Sequence, residues 1–154
     1  MERRITEEQV TKAILNWLEA NDWKIISFDF PQSGTGVSLH PNEELRTTKN
    51  KGAFIPDIVA IKSKTVIFFE NKDRFVLDDF MKVQGLKNNN DYSNSIKRLL
   101  EEFEYSNIFY GVGLVYSENA VQKTNLHLDK IDFAILYHEN NSIEIQFDPM
   151  KLFK

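Results

Sequence analysis

Residues 55–72, IPDIVAIKSKTVIFFENK, constrain the fold more than any other stretch of the chain. Two apolar runs, 58–61 and 66–69, flank a polar break at Ser63-Lys64. Short runs rich in Val, Ile and Phe around a two-residue break predict a β-hairpin. With Ser63-Lys64 as the loop, the antiparallel register pairs Lys62 with Thr65 and Ile61 with Val66. Continued outward, it sets Asp57 opposite Glu70. Directly opposed residues share a face, with Cβ atoms roughly 5 Å apart. Lys72, two residues past Glu70, lies on the same face. The open end of the hairpin is therefore predicted to gather Asp57, Glu70 and Lys72. Opposed like charges destabilise a strand pair, and a divalent cation between them removes that penalty. Mg²⁺ is a hard cation that takes carboxylate oxygens and keeps reactive waters. Pro56 fits a strand start, where no ladder donor is needed. The alternative is a solvated hairpin end in which Lys72 pairs with Glu70 or Asp57, an exposed pair of little energetic weight.

The flanking segments place this hairpin in an α/β setting. Residues 6–21 predict an amphipathic helix, because Val10, Ala13, Ile14, Trp17 and Leu18 recur at helical spacing. Thr6 with Gln9 forms a capping box, and Glu7 and Glu8 suit the positive end of the helix dipole. At ~100° per residue, Glu7 falls on the arc of Ile14 and Leu18, whereas Glu8 points away. Glu7 is thus the first-turn acid able to face a sheet; a solvent-facing dipole residue is the other reading. Residues 23–30 predict a strand. Residues 32–54 show weak periodicity, and loops this long are uncommon unless they are functional or mobile. Arg46, Lys49 and Lys51, with threonines and an asparagine among them, suit contacts to phosphate oxygens, against a solvated loop tip. Arg74 and Lys82 are expected to extend a basic surface, against the alternative that each is simply exposed. A short helix is expected from Asp78 as cap to Gly85, and another from Ser93 or Asn94 through Ile96, Leu99, Leu100 and Phe103. Residues 107–116 predict a buried strand whose Gly111 and Gly113 mark close packing. Residues 118–129 are polar, with a short helix as the expectation. Two further strands, 131–138 and 142–147, predict a C-terminal hairpin, and 150–153 a packed tail.

Length and composition narrow the class. A chain of 154 residues, 42% hydrophobic, fits one domain spanning 1–154 with a real core. No run approaches the ~20 apolar residues of a membrane span, and no signal-peptide h-region follows Met1. A cytoplasmic location is expected. The absence of cysteine removes disulfides, thiolate metal sites and a thiol nucleophile. His40, His127 and His138 show no metal-ligand spacing. The net charge of −4 counts against a nucleic-acid binder, but acidic metal-binding groups contribute to it, and local clustering of cations matters more.

Pro56-Asp57, a spacer of strand length, and Glu70-Asn71-Lys72 after an apolar run together resemble the PD-(D/E)xK nuclease signature. That superfamily includes restriction endonucleases, junction resolvases and DNA-repair nucleases. The element order over residues 6–116 is also the core order of the restriction-endonuclease-like fold. The resemblance implies a central mixed β-sheet flanked by helices, with the C-terminal hairpin outside it as a dimer or DNA element. It implies Mg²⁺-dependent hydrolysis of DNA to a 5′-phosphate and a 3′-hydroxyl. Asp57, Glu70 and the Asn71 carbonyl would hold the metal, helped by Glu7, since many members carry such a helix glutamate. Lys72 would orient or help deprotonate the attacking water. Arg46, Lys49, Lys51 and Arg74 would touch DNA. A small type II restriction endonuclease is the first expectation, acting as a homodimer because a duplex cut needs two active sites. A Holliday-junction resolvase or repair nuclease is the near alternative. A non-catalytic binding protein on the same fold is the alternative of a different class.

Overall fold

A computed structural model describes residues 5–29, 39, 54–89 and 91–153. The capping box at Thr6 is formed: its hydroxyl accepts the Gln9 N–H at 3.2 Å, and Gln9 Oε1 accepts the Thr6 N–H at 2.8 Å. From this start α1 runs Glu7–Ala20 and buries Val10, Ile14, Leu15 and Leu18. The chain turns through Asp22, at φ 71°, into β1 (Lys24–Phe28). This strand is shorter than the predicted 23–30, and Trp23 is instead a buried residue packed 5.9 Å from the Phe153 ring.

The central hairpin has the predicted register. β2 (Ile58–Lys62) and β3 (Thr65–Lys72) pair Lys62 with Thr65, Ile61 with Val66 and so on to Ile58 with Phe69. Ser63 and Lys64 both take positive φ, 47° and 68°. That is the backbone of a primed two-residue turn, whose twist matches the flanking strands.

Beyond the hairpin come α2 (Leu77–Asn88), α3 (Ser93–Leu99), β4 (Asn107–Val115), α4 (Glu118–Asn125), a 3-10 turn at Leu128–Lys130, β5 (Phe133–Tyr137) and β6 (Ile143–Phe147). Several helix ends differ from expectation. Asp78 does not cap α2: the cap is Val76, with no side-chain hydrogen bond, and both Asp78 and Asp79 lie in the first turn. Gly85 does not end the helix either. Phe80, Val83 and Leu86 continue one buried stripe past it, and a glycine inside a helix costs only about 1 kcal/mol. For α3 the cap is Tyr92 rather than Ser93 or Asn94, and the helix stops before Phe103.

The strands form one six-stranded mixed sheet in the order β1-β2-β3-β4-β5-β6. β1, β2 and β3 are antiparallel neighbours, β3, β4 and β5 are parallel, and β6 returns antiparallel to β5. Parallel crossovers are right-handed, so two that advance in the same direction lie on one face of a sheet. The helices follow this rule. α2, α3 and α4 cover the face that carries Val59, Val66, Phe68, Val112, Leu114 and Leu136. α1 alone covers the other, with Ile58, Ile67, Phe69, Phe133 and Ile135. Strands apolar on both sides are the sequence cause of this two-faced burial.

The two glycines of β4 set how closely the layers approach. A Cβ on Gly113 would collide with Ile14 of α1 and the Asn71 side chain, and one on Gly111 would collide with Phe133. The tail closes the α1 face, where the Phe153 ring lies 5.2 Å from those of Trp17 and Phe133. No helix among the described residues is long and apolar enough to cross a membrane.

Candidate active site at the end of the third strand

β3 ends in Glu70-Asn71-Lys72, and its period of two divides these side chains between the sheet faces. Asn71 turns to the α1 side, where its Nδ2 donates to Thr11 Oγ1 at 3.1 Å. Lys72 turns to the α2 side, 3.9 Å from Asp79 Oδ2. Asp57 lies in the bend just before β2, one residue beyond the last regular pair. Backbone bonds hold it on both sides: its N–H donates to the Phe69 carbonyl at 3.0 Å, and its carbonyl accepts the Asp29 N–H at 2.8 Å. Its Oδ2 accepts the Asn71 N–H at 2.7 Å. The Asp57 carboxylate is thereby fixed against the end of β3.

The burial of these carboxyls controls their acidity. Removal from water pushes Asp57 up to about 7; the Asn71 N–H works against this, and the negative charges of Glu7 and Asp29 add to it. Burial likewise pushes Glu70 up to about 9, and the largest charge effect on it comes from Asp57, followed by Asp79. Asp57 and Glu70 are thus two interacting carboxyls that resist being charged together. Glu70 Oε2 is buried and has no hydrogen-bond partner among the described residues.

Lys72 links the two helix starts that flank the strand end. Its Nζ lies 2.8 Å from Glu7 Oε1 in the first turn of α1. The hydrogen bond to Glu7 is the main cause that raises its pKa. Glu8, by contrast, points away and pairs with Lys12 at 3.8 Å along its own helix. Asp79, in the first turn of α2, has a side chain only 7% exposed. Burial raises its pKa, while Lys72 and Lys82 hold it down.

The site therefore brings together Asp57, Glu70, Lys72 and Glu7 from the predicted set, with the Asn71 backbone between them. Arg74 stays apart as an exposed side chain paired with Asp73 at 3.0 Å. Arg46, Lys49 and Lys51 lie outside the described residues. Among the described residues no group of three or more His, Asp and Glu side chains is gathered so as to hold a metal ion. Asp79 and Asp29 belong to the electrostatic surroundings of the site and were not anticipated. Asp79 had a readable signal: it precedes Val83 and Leu86 by four and seven residues, so it occupies the inward stripe of α2.

No family model matches the chain, and no curated protein matches it.

Proposed function

We propose that this chain is a Mg²⁺-dependent DNA endonuclease of the PD-(D/E)xK type on a restriction-endonuclease-like fold. The observation that carries the reading is the pair of partly buried, mutually opposing carboxyls Asp57 and Glu70, with the Lys72 ammonium two residues along the same strand. Among the described residues Glu70 Oε2 is an acceptor without a partner, which suits a cation. Mg²⁺ is commonly held by only one or two carboxylates and keeps several waters, so the donor set of Asp57, Glu70 and the Asn71 carbonyl fits it. When bound, the ion supplies a water of lowered pKa and charge stabilisation at the phosphoryl oxygens.

The chain's own groups would divide the remaining work. Asp57, fixed by three backbone bonds, sets the position of the scissile phosphate relative to β3. Lys72 holds and orients the attacking water and donates to a phosphate oxygen as negative charge develops there. Glu7 keeps the ammonium aimed at the strand end, and it would help hold the cation when one is bound. The products are a 5′-phosphate and a 3′-hydroxyl. A homodimeric type II restriction endonuclease is the first choice within this chemistry, and a junction resolvase or repair nuclease uses the same residues. One observation favours a second reading, a non-catalytic binding module: the Lys72 ammonium already has a close partner in Glu7.

Replacing Lys72 by Ala separates these readings, because Lys72 is not a metal ligand in the proposal. Wild type and Lys72→Ala should bind DNA alike in Ca²⁺. In Mg²⁺ the variant should cleave about 10²–10⁴-fold more slowly, the usual weight of a positioned proton-transfer group. If wild-type protein binds DNA but cuts no duplex, junction or flap substrate in Mg²⁺ or Mn²⁺, the binding-module reading replaces the enzyme.

A further inference from the structure

Lys72 stands between two acids, and only one of them is bonded to it. Glu7, 35% exposed at its side chain, takes the ammonium at 2.8 Å. Asp79 waits at 3.9 Å on the other side, more than nine-tenths buried, and its Oδ2 has no hydrogen-bond partner among the described residues. Its second oxygen lies 3.9 Å from the exposed Lys82 ammonium, also beyond hydrogen-bond length. A buried carboxylate oxygen with no donor is costly and needs an explanation. It does not cap α2, where no side-chain cap bond exists. The buried stripe of α2 aims Asp79 back at the end of β3, and the only described cation on that strand end is Lys72.

We propose that Asp79 is a positioning residue for Lys72, a second docking point that receives the ammonium when Glu7 lets it go. The inference rests on the nuclease reading for its purpose. In that reading Glu7 would also help hold a bound cation, and a carboxylate shared with a cation holds the Lys72 ammonium less firmly than it does alone. Without a second partner, the freed ammonium would swing on a flexible four-carbon stem. Closing the gap to Asp79 Oδ2 requires a shift of about 1 Å to reach hydrogen-bond length. That shift gives the orphan oxygen its donor and keeps the ammonium on the α2 side of the sheet, the face that Glu70 shares. Lys72 would then act from a fixed position in both states.

The test uses full-length protein with ¹⁵N-labelled lysine and reads the order of the Lys72 ammonium by Nζ relaxation, without metal or DNA. In Glu7→Gln the ammonium should stay ordered, because Asp79 takes it over. In Glu7→Gln/Asp79→Asn it should become as mobile as an exposed lysine. Comparable mobility in the single and double variants would overturn the proposal, and the single variant gives this reading with Asp79 itself untouched. A second arm uses cleavage in Mg²⁺. Asp79→Asn should lower kcat by up to about 100-fold, the cost of ~1 Å misplacement, with KM for DNA little changed, and Asp79→Glu should restore part of it. Equal losses of kcat and of DNA affinity would mark a merely structural residue and also overturn it. Ordered Lys72 in Glu7→Gln together with no cleavage by wild type would leave the docking point standing and remove the nuclease reading instead.

Discussion

Gly113 shows how one missing atom holds the site together. It sits on β4 beside Asn71 of β3. A Cβ there would drive into Ile14 on α1 and into the Asn71 side chain. The same Asn71 supplies the backbone N–H that fixes Asp57. Gly113→Ala should therefore destabilise the fold by roughly 1–3 kcal/mol through overpacking and also disturb the position of Asp57. Chemical denaturation would give the first number. A midpoint unchanged from wild type would mean that α1 can lift away freely. At this scale the sequence was informative where one geometric rule decides a direction. Helical phase alone distinguished Glu7 from Glu8, and the structure places them on different partners, Lys72 and Lys12. Asp79 escaped notice because its neighbour Asp78 fits a cap, and the apolar stripe that makes Asp79 an inward acid becomes plain only once α2 is known to run past Gly85.

The hairpin is the element on which the site depends, and its turn is under local strain. Ser63 and Lys64 both occupy left-handed backbone conformations, which cost a residue with a Cβ about 1–2 kcal/mol relative to glycine. Lys64 also pairs with Glu104 at 3.1 Å, but both side chains are largely exposed, and such pairs contribute ~0–1 kcal/mol. The Lys64 carbonyl, which accepts the Ser106 N–H at 2.8 Å, belongs to the backbone and survives substitution. Ser63→Asn with Lys64→Gly supplies the residues that this turn type favours. The double variant should be more stable by about 1 kcal/mol, with cleavage unaffected because register and strand ends are preserved. A loss of stability would show that the Lys64–Glu104 pair outweighs backbone strain. The hairpin was legible because a period of two and a two-residue break leave one register that keeps both apolar runs in phase. Helix ends were less legible. Ser93 and Asn94 are good capping residues, yet α3 starts from Tyr92, since packing of Ile96 and Leu100 against the sheet decides where the turn forms.

For the molecule as a whole, the opposed carboxyls Asp57 and Glu70 should set how stability depends on pH. Asp57 and Glu70 have folded-state pKa values of about 7 and about 9, against ordinary values of 3.8 and 4.5. Between pH ~4 and ~9 the folded protein then holds more protons on these groups than the unfolded chain does. Stability falls with rising pH wherever the folded state binds the extra protons. The metal-free protein should thus be most stable below the ordinary carboxyl range and lose stability as pH rises through the folded values. The raised Lys72 pKa works only above its ordinary 10.5, outside this window. Shifts of this size correspond to a loss on the order of several kcal/mol, a large fraction of the stability of a single domain. If the proposed function holds, Mg²⁺ competes with those protons. It should restore stability at pH 8, by an amount that grows with its concentration over the dissociation constant, and have little effect at pH 5, where the carboxyls are protonated. Asp57→Asn should flatten the pH profile and remove the Mg²⁺ response together. Thermal melts of wild type and Asp57→Asn from pH 5 to 9, with Mg²⁺ and with EDTA, measure all of this. A wild-type melting temperature that rises from pH 5 to 8 without metal would contradict the burial of these charges. A profile that falls as expected but ignores Mg²⁺ would leave two partly buried carboxyls with no cation to hold, and the catalytic role proposed for Asp57 and Glu70 would fail with it.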